Sequence, residues 1–188
     1  MSPKRVLIVN GSPRKRGNSV LLAEQVAAGA RAAGAEVETV TIQDMDIQPC
    51  TACEACKGTE DGDCIIQDDM QSLYPRVRAA ESIVIATPIY WFTMSAQAKL
   101  FIDRLYALFD TARGNLVNGK RFAFVLAYGD SDPFTSGAIN AIRAFQDMCR
   151  YNQAEIVGFV YGTASEQGEI LSQEDLLEQA RQLGQKLG

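Results

Sequence analysis

The chain has 188 residues, of which 47% are hydrophobic and 22% are charged, and its formal net charge is −5. This size and composition predict one soluble domain with a full core, spanning residues 1–188. The negative charge argues against a protein that wraps nucleic acid or binds an anionic membrane. No apolar run approaches the roughly 20 residues of a membrane span, and the first apolar run is too short for a signal peptide, so we expect a cytoplasmic protein.

Strands and helices alternate along the predicted chain. The predicted strands cover residues 5–10, 36–42, 82–87, 121–128 and 155–161. The predicted helices begin near residues 18, 68, 96, 138 and 174. The first and third strands are apolar on both faces, as in a buried parallel sheet, whereas the second has one wetter face. We expect Asn18 or Ser19 to cap the first helix, and Asp68 to form a capping box with Gln71.

Five strands that alternate with five helices predict an α/β fold with helices on both faces of a parallel sheet. Right-handed crossovers leave few strand orders, and the economical one is the flavodoxin-like three-layer sandwich with a five-stranded parallel sheet of order 2-1-3-4-5. In that order, ligands bind beyond the carboxyl ends of strands one and three. The loops 11–19, 88–95 and 129–136 should therefore meet at one crevice.

The loop between the first strand and the first helix predicts an anion site. A helix N-terminus offers free N–H groups and the positive end of its dipole, and glycines let the backbone approach a ligand closely. The glycines, side-chain donors and cations of this loop are Gly11, Ser12, Arg14, Lys15, Arg16, Gly17, Asn18 and Ser19. The loop matches neither the P-loop nor the dinucleotide-binding glycine pattern. We expect it to bind a phosphate group, and the alternative is an ordinary turn with solvated cations.

Three consecutive aromatic residues follow the third strand. The segment reads Pro88, Ile89, Tyr90, Trp91 and Phe92. Opposite a phosphate loop, these rings favour a flat heterocycle that carries a phosphate, and FMN is the natural candidate. The alternatives are that they cap the core beneath the next helix or form a subunit interface.

Gly129 and Asp130 follow the fourth strand directly. Backbone N–H groups in this loop could bind the polar edge of the ring and stabilise negative charge there during reduction. The alternative is a plain turn.

Four of the five cysteines lie in a loop at residues 49–65. They are Cys50, Cys53, Cys56 and Cys64. In a cytosolic chain such a group favours metal or redox chemistry over disulfides. Its spacing is similar to the start of a ferredoxin cluster sequence and fits a [4Fe–4S] cluster better than a single zinc ion. The alternative is a loop of free thiols, and we expect Cys149 to be a buried core thiol.

The chain contains no histidine. This excludes Ser-His and Cys-His nucleophile pairs, histidine-ligated zinc and histidine acid–base catalysis. A redox cofactor would carry out the chemistry itself, and the protein would only position the cofactor. We therefore expect no catalytic side chain.

Taken together, the motifs resemble the NADPH-dependent FMN reductase family. They are Gly11-Ser-Pro-Arg, Gly17-Asn-Ser, Asp68-Asp-Met, Pro88-Ile-Tyr-Trp and Lys99-x3-Asp103-Arg104. The cysteine spacing resembles the iron–sulfur flavoprotein branch of that family. The resemblance implies a flavodoxin-like fold, non-covalent FMN, NAD(P)H as electron donor and a homodimer or homotetramer. By the same resemblance, Ser12, Arg14, Asn18 and Ser19 hold the phosphate, Pro88, Tyr90, Trp91 and Phe92 lie along the flavin, and the four cysteines bind the cluster.

The expected function is an oxidoreductase that moves electrons from NAD(P)H through FMN to a quinone, a free flavin, a protein carrier or the cluster. A first alternative is a [4Fe–4S] flavoprotein electron carrier without a small-molecule substrate. A second is a flavin-binding regulatory module. None of these needs a nucleic acid or a membrane as partner.

Overall fold

Five parallel strands form the central sheet in a computed structural model of the protein, which describes residues 3–188. Residues 1 and 2 of the predicted domain lie outside this range. The strands are β1 (Arg5–Asn10), β2 (Glu36–Thr41), β3 (Ser82–Tyr90), β4 (Thr93–Met94), β5 (Arg121–Tyr128) and β6 (Glu155–Thr163). The parallel order is β2-β1-β3-β5-β6, and the short β4 pairs antiparallel with the end of β3. Leaving β4 aside, this is the predicted flavodoxin-like order, which is thus confirmed.

Five α-helices cover the two faces of the sheet. They are α1 (Asn18–Ala32), α2 (Met70–Ala79), α3 (Ala96–Arg104), α4 (Ala138–Tyr151) and α5 (Glu174–Gln185). Short 3-10 helices cover Ile42–Asp44, Leu105–Leu108 and Glu169–Ser172. None of the helices within residues 3–188 is both long and apolar enough to span a membrane.

Side chains alternate between two cores along each central strand, as strand geometry requires. Ile8 and Val125 pack with α1 and α5, whereas Leu7 and Phe124 pack with α2, α3 and α4. Cys149 belongs to the second core and is 1% exposed, which confirms the predicted core thiol. Burial raises the pKa of this thiol to about 12.

Helices α1 and α5 approach so closely that glycine is required at their contact. A Cβ atom on Gly29 would lie 2.0 Å from the carbonyl oxygen of Arg181, and one on Gly184 would lie 2.0 Å from that of Val26. Because both obstacles are backbone atoms, a larger residue must push the helices apart.

Gly29→Ala tests this contact, and we expect it to lower the free energy of unfolding by about 1–3 kcal/mol through overpacking. Helix propensity alone would act in the opposite direction, since alanine is favoured over glycine by about 1 kcal/mol. Denaturant titration measures the difference. The control is Ala28→Gly on the exposed side of the same turn, which reports propensity alone. Unchanged or higher stability of Gly29→Ala would contradict the close contact.

Candidate functional site

The N-terminus of α1 has no side-chain cap. Gly17 occupies the N-cap position with φ −67° and ψ 154°, so the predicted capping by Asn18 or Ser19 is wrong. The amide N–H groups of Asn18 and Ser19 have no acceptor among residues 3–188. Free first-turn N–H groups together with the helix dipole form an anion-binding end.

Asn18 has another role, because its side chain ties α1 to the segment that follows β6. Its Nδ2 donates to the carbonyl oxygen of Glu166 at 2.8 Å, and its Oδ1 accepts from the amide of Gly168 at 2.9 Å. This positions the start of α1 beside the residues that follow the last strand of the sheet. The sequence offered no signal for this pairing, since its partners are about 150 residues away.

The loop before α1 is closely packed on Ser12. The Ser12 Oγ accepts from the amide of Arg14 at 3.1 Å, and a Cβ atom on Gly17 would lie only 2.6 Å from that oxygen. The Ser95 hydroxyl, at the N-cap of α3, donates to the carbonyl oxygen of Gly11 at 2.5 Å. The loop is therefore held in shape before any ligand binds.

Two buried polar atoms next to this loop have no partner in the described part of the chain. They are Asn10 Oδ1, at the end of β1, and Ser19 Oγ, in the first turn of α1. A buried polar atom without a hydrogen bond costs free energy, so such atoms point to a ligand or water as the missing partner. The Ser19 hydroxyl can donate, so together with the free amides it fits a phosphate group, whereas Asn10 Oδ1 accepts only and needs a different, donating partner.

A cleft of about 220 Å³ lies at the carboxyl ends of the parallel strands. It is lined by eight predicted residues: Ser12, Arg14, Gly17, Asn18, Pro88, Ile89, Tyr90 and Gly129. It is also lined by four that were not predicted as site residues: Ala127, Tyr128, Ala164 and Ser165. The predicted residues that do not line it are Ser19, Trp91, Phe92 and Asp130. The three predicted loops thus meet, and a fourth loop joins them.

The fourth loop follows β6, and a sequence signal for it exists. All parallel strands end at the same edge of the sheet, so Ala164 and Ser165 come to the cleft as the residues after β5 do. Two hydrogen bonds connect the segments after β5 and β6. The amide of Ala164 donates to the carbonyl oxygen of Tyr128 at 2.7 Å, and the Ser165 hydroxyl donates to the carbonyl oxygen of Gly129 at 2.9 Å. The amides of Gly129 and Asp130 have no acceptor within residues 3–188, so they are available to a ligand.

Trp91 and Phe92 form a tight two-residue turn between β3 and β4. Both have positive φ, 47° and 68°, which is the pattern of a type I′ hairpin that normally carries Asn and Gly. Such conformations cost about 1–3 kcal/mol each and are common at functional sites. Trp91 is 91% exposed, which excludes its expected alternative of capping the core.

The N-terminal end of α4 holds this turn in place. Asn140 Nδ2 donates to the carbonyl oxygen of Phe92 at 3.0 Å. Gly137 has φ 78°, and a Cβ atom there would lie 2.5 Å from the Phe92 Cα. The strained turn is therefore supported from outside the hairpin, and its aromatic rings stay at the surface beside the cleft.

The four loop cysteines surround one small cavity. It is lined by Cys50, Cys53, Cys56 and Cys64, and also by Tyr74, Arg104 and Tyr106. No three His, Cys, Asp or Glu side chains within residues 3–188 lie close enough together to hold a single metal ion. Four thiols that line one cavity without forming a single-ion site fit a multinuclear cluster better than a zinc ion, because the cluster itself spans the distance between its ligands.

The cysteine loop has an unusual backbone. Ala52 and Glu54 have φ of 53° and 60°, and Gly58 and Gly62 have φ of 69° and 77°. The two glycines let the chain bend between Cys56 and Cys64. Burial raises the pKa of the Cys56 thiol, and the neighbouring thiols add to the rise. By contrast, a backbone hydrogen bond from Ala55 lowers the pKa of Cys53.

A buried ion pair connects the two ends of the cysteine loop. The Arg104 and Asp68 side chains are only 1% and 2% exposed, and the Arg104 Nη1 donates to Asp68 Oδ2. The predicted capping box is wrong: Asp68 instead accepts from the amide of Gln48 at 2.8 Å and from that of Met70 at 3.0 Å. Although burial opposes ionisation, the bonds from Arg104 and from these amides keep the pKa of Asp68 below its usual value.

The cleft and the cysteine cavity lie near opposite ends of α3. Residues 88–90 line the cleft just before this helix, whereas Asp103 and Arg104 line the cavity at its C-terminal end. A helix of nine residues is roughly 13 Å long. The two sites share no lining residue, so either can be changed without touching the other.

Comparison with known proteins adds three findings. The sequence pattern of the family described as NADPH-dependent FMN reductase matches residues 4–177. A Bacillus subtilis protein, named provisionally as an NAD(P)H-dependent FMN-containing oxidoreductase, is 31% identical over 183 residues, which cover 95% of this chain and 96% of that one. The structure of a Trp repressor binding protein from Bacillus subtilis has a TM-score of 0.70 and 26% identity, covering 95% of this chain and 99% of that one.

Other relatives have names that mention an iron–sulfur group. An iron–sulfur flavoprotein from Methanocaldococcus jannaschii is 34% identical over 100 residues, which cover 53% of this chain. The match spans about half of that relative's length, 51%. The name of the Bacillus subtilis oxidoreductase thus mentions FMN without iron and sulfur, whereas the name of the Methanocaldococcus jannaschii relative mentions iron and sulfur together with a flavin.

Proposed function

Since this chain belongs to the NADPH-dependent FMN reductase family and is an NAD(P)H-dependent FMN oxidoreductase, we propose that the cleft at the carboxyl ends of the parallel strands holds its FMN. When bound, FMN supplies acceptance of hydride from NAD(P)H and delivery of the electrons to an acceptor. The acceptors that we propose are a quinone, a free flavin, a protein carrier or a cluster bound by the cysteines. The whole chain forms one FMN-binding domain with the cysteine loop as an extension.

One observation carries this assignment: the uncapped N-terminus of α1 opens into the same cleft as the aromatic segment. Ser12, Arg14, Gly17 and Asn18 line its phosphate end. The free amides of the first turn and the unpartnered Ser19 Oγ provide donors that an anion would satisfy. Ser19 thus remains a proposed phosphate ligand although it does not line the open cleft.

The ring end of the cleft is formed by the ends of β3 and β5. Pro88, Ile89 and Tyr90 provide one side, and Gly129 provides the other. The free amides of Gly129 and Asp130 would donate to the polar edge of the ring and stabilise the charge that reduction places there. Trp91 and Phe92 follow directly after Tyr90, which lines the cleft, and in this proposal they would cover an incoming nicotinamide or acceptor and exclude water.

Reduction by NADPH is the direct test of the reductase. Under anaerobic conditions we expect one equivalent of NADPH or NADH to remove the visible absorbance of the bound flavin by a single hydride transfer, and a quinone to restore it. Protein from which FMN has been removed is the control and should not oxidise NADPH. A flavin that stays oxidised with both nicotinamides would instead support a regulatory flavin-binding module.

The second candidate function is electron transfer through a [4Fe–4S] cluster held by Cys50, Cys53, Cys56 and Cys64. What favours it is that all four line one cavity although they are spread over 15 positions of the chain. The donor set is four thiols without a histidine, which is the usual set for such a cluster. The name of the Methanocaldococcus jannaschii relative supports the same proposal.

Two further features support an oligomeric protein in a reducing compartment. Trp91 and Phe134 are 91% and 74% exposed, and apolar rings in such positions are typical of an interface. We propose a homodimer or homotetramer that covers this surface beside the flavin. Five free cysteines are compatible with the cytoplasm, where thiols stay reduced.

A further inference from the structure

Arg104 is a buried cation that the proposed FMN chemistry does not use. Its side chain is 1% exposed and its partner Asp68 is 2% exposed. Removing such a pair from water costs about as much as the attraction returns, so a buried ion pair is rarely better for stability than apolar residues. We therefore expect this ion pair to have a role other than stabilising the fold.

The guanidinium group of Arg104 connects separate parts of the cysteine loop. Its Nη2 donates to Cys64 Sγ at 3.5 Å and to Asp68 Oδ1 at 3.1 Å. Its Nη1 donates to the carbonyl oxygen of Gln48 at 2.8 Å, two residues before Cys50. Arg104 thus bonds to one predicted cluster ligand and fixes the chain just before another.

A second observation points to a missing partner. The Nε–H of Arg104 is buried and has no acceptor within residues 3–188, although the residue lines the cysteine cavity. A buried unsatisfied donor costs about 1–3 kcal/mol, more for a charged group. An electron-rich group in the cavity would remove this cost.

We propose that Arg104 is a positioning residue that raises the reduction potential of a cluster held by Cys50, Cys53, Cys56 and Cys64, an inference that rests on the proposed cluster. Hydrogen bonds to ligand sulfur and nearby positive charge both stabilise an added electron. One electron enters from a reductant such as the reduced flavin, and no bond of Arg104 forms or breaks. Asp68 opposes the effect by partly neutralising the guanidinium while holding it against Cys64.

Two variants separate this electrostatic role from a structural one. The double variant Arg104→Gln/Asp68→Asn removes both charges while keeping polar groups of similar shape, and so avoids leaving an unpaired buried carboxylate. Asp68→Asn alone keeps the cation and removes its counter-charge. Both variants weaken the same network, so a purely structural role predicts similar consequences for both.

The measurement is the cluster midpoint potential by anaerobic redox titration, after iron, acid-labile sulfide and the far-ultraviolet circular dichroism spectrum have been checked. In the double variant we expect the midpoint potential to be at least about 59 mV more negative. For a one-electron couple this is a tenfold weaker affinity for the electron. We expect a shift to a more positive potential in Asp68→Asn. Unchanged potentials, or shifts in the same direction, overturn the inference while leaving the cluster proposal intact. Wild-type protein without iron and sulfide overturns both.

Discussion

Replacing Arg14 and Ser12 together by alanine will weaken FMN binding by at least about a hundredfold. Charge-assisted hydrogen bonds to a phosphate contribute about 1.5–3 kcal/mol each, and 1.4 kcal/mol is a tenfold change in affinity. Both residues line the cleft, and Ser12 also shapes the loop by bonding to the Arg14 amide. Titration of FMN-free protein with FMN, followed by flavin fluorescence, measures the dissociation constant.

Lys15→Ala is the matched control for this prediction. Lys15 lies in the same loop and carries the same charge, but its side chain is 83% exposed, faces Asp44 at 3.9 Å and does not line the cleft. We expect its dissociation constant to change by less than about threefold, because exposed charges are screened by salt. Equal losses in both variants would show that only the net charge matters, and unchanged binding in the double variant would refute the phosphate assignment.

Replacing Cys64 by serine is expected to remove the proposed cluster altogether. Cys64 is the proposed ligand that closes the loop after seven intervening residues, and it is the cysteine bonded to Arg104. A serine hydroxyl is a poor substitute for a thiolate, so we expect iron and acid-labile sulfide in anaerobically purified protein to fall to background. FMN content should stay the same, because the cleft and the cysteine cavity share no lining residue.

The control here is Cys149→Ala, which removes a thiol that does not line the cavity. Cys149 is 1% exposed in the core beneath α4, so this variant should lose some stability but keep its iron. Anaerobic wild-type protein with flavin bands and no iron would reject the cluster, and so would Cys64→Ser protein with the wild-type iron content. Either result would leave a simple FMN reductase with four free loop thiols.

The regular elements were predictable from sequence because their signals are local. Apolar runs placed β1 and β5 at residues 5–10 and 121–128, the same bounds as in the structure. The ends of β3 and β6 extend two or three residues beyond the prediction, since β3 continues into the hairpin that Trp91 and Phe92 close. The helix that was predicted to begin near residue 96 ends at Arg104 and is followed by a 3-10 turn over Leu105–Leu108.

The two predictions of helix capping were wrong for the same reason: each side chain makes its main hydrogen bonds to partners that are distant in sequence. Asn18 was predicted to cap α1, but its side chain bonds to the segment after β6. Asp68 was predicted to cap α2 with Gln71, but it pairs with Arg104, 36 residues away. A capping bond contributes about 1 kcal/mol, and the several hydrogen bonds that each of these side chains makes to distant groups together exceed it once the chain has folded.

By itself, the sequence determined the strand order and the edge of the sheet where the cleft lies. Strand and helix periodicity and the handedness of crossovers depend on local chain geometry, so loops 11–19, 88–95 and 129–136 had to meet. Only the tertiary structure decided that α1 stays uncapped for an anion, that Ala164 and Ser165 complete the cleft, and that Arg104 lies against Cys64. These features depend on which distant groups come within hydrogen-bond distance, and no local pattern in the chain encodes that.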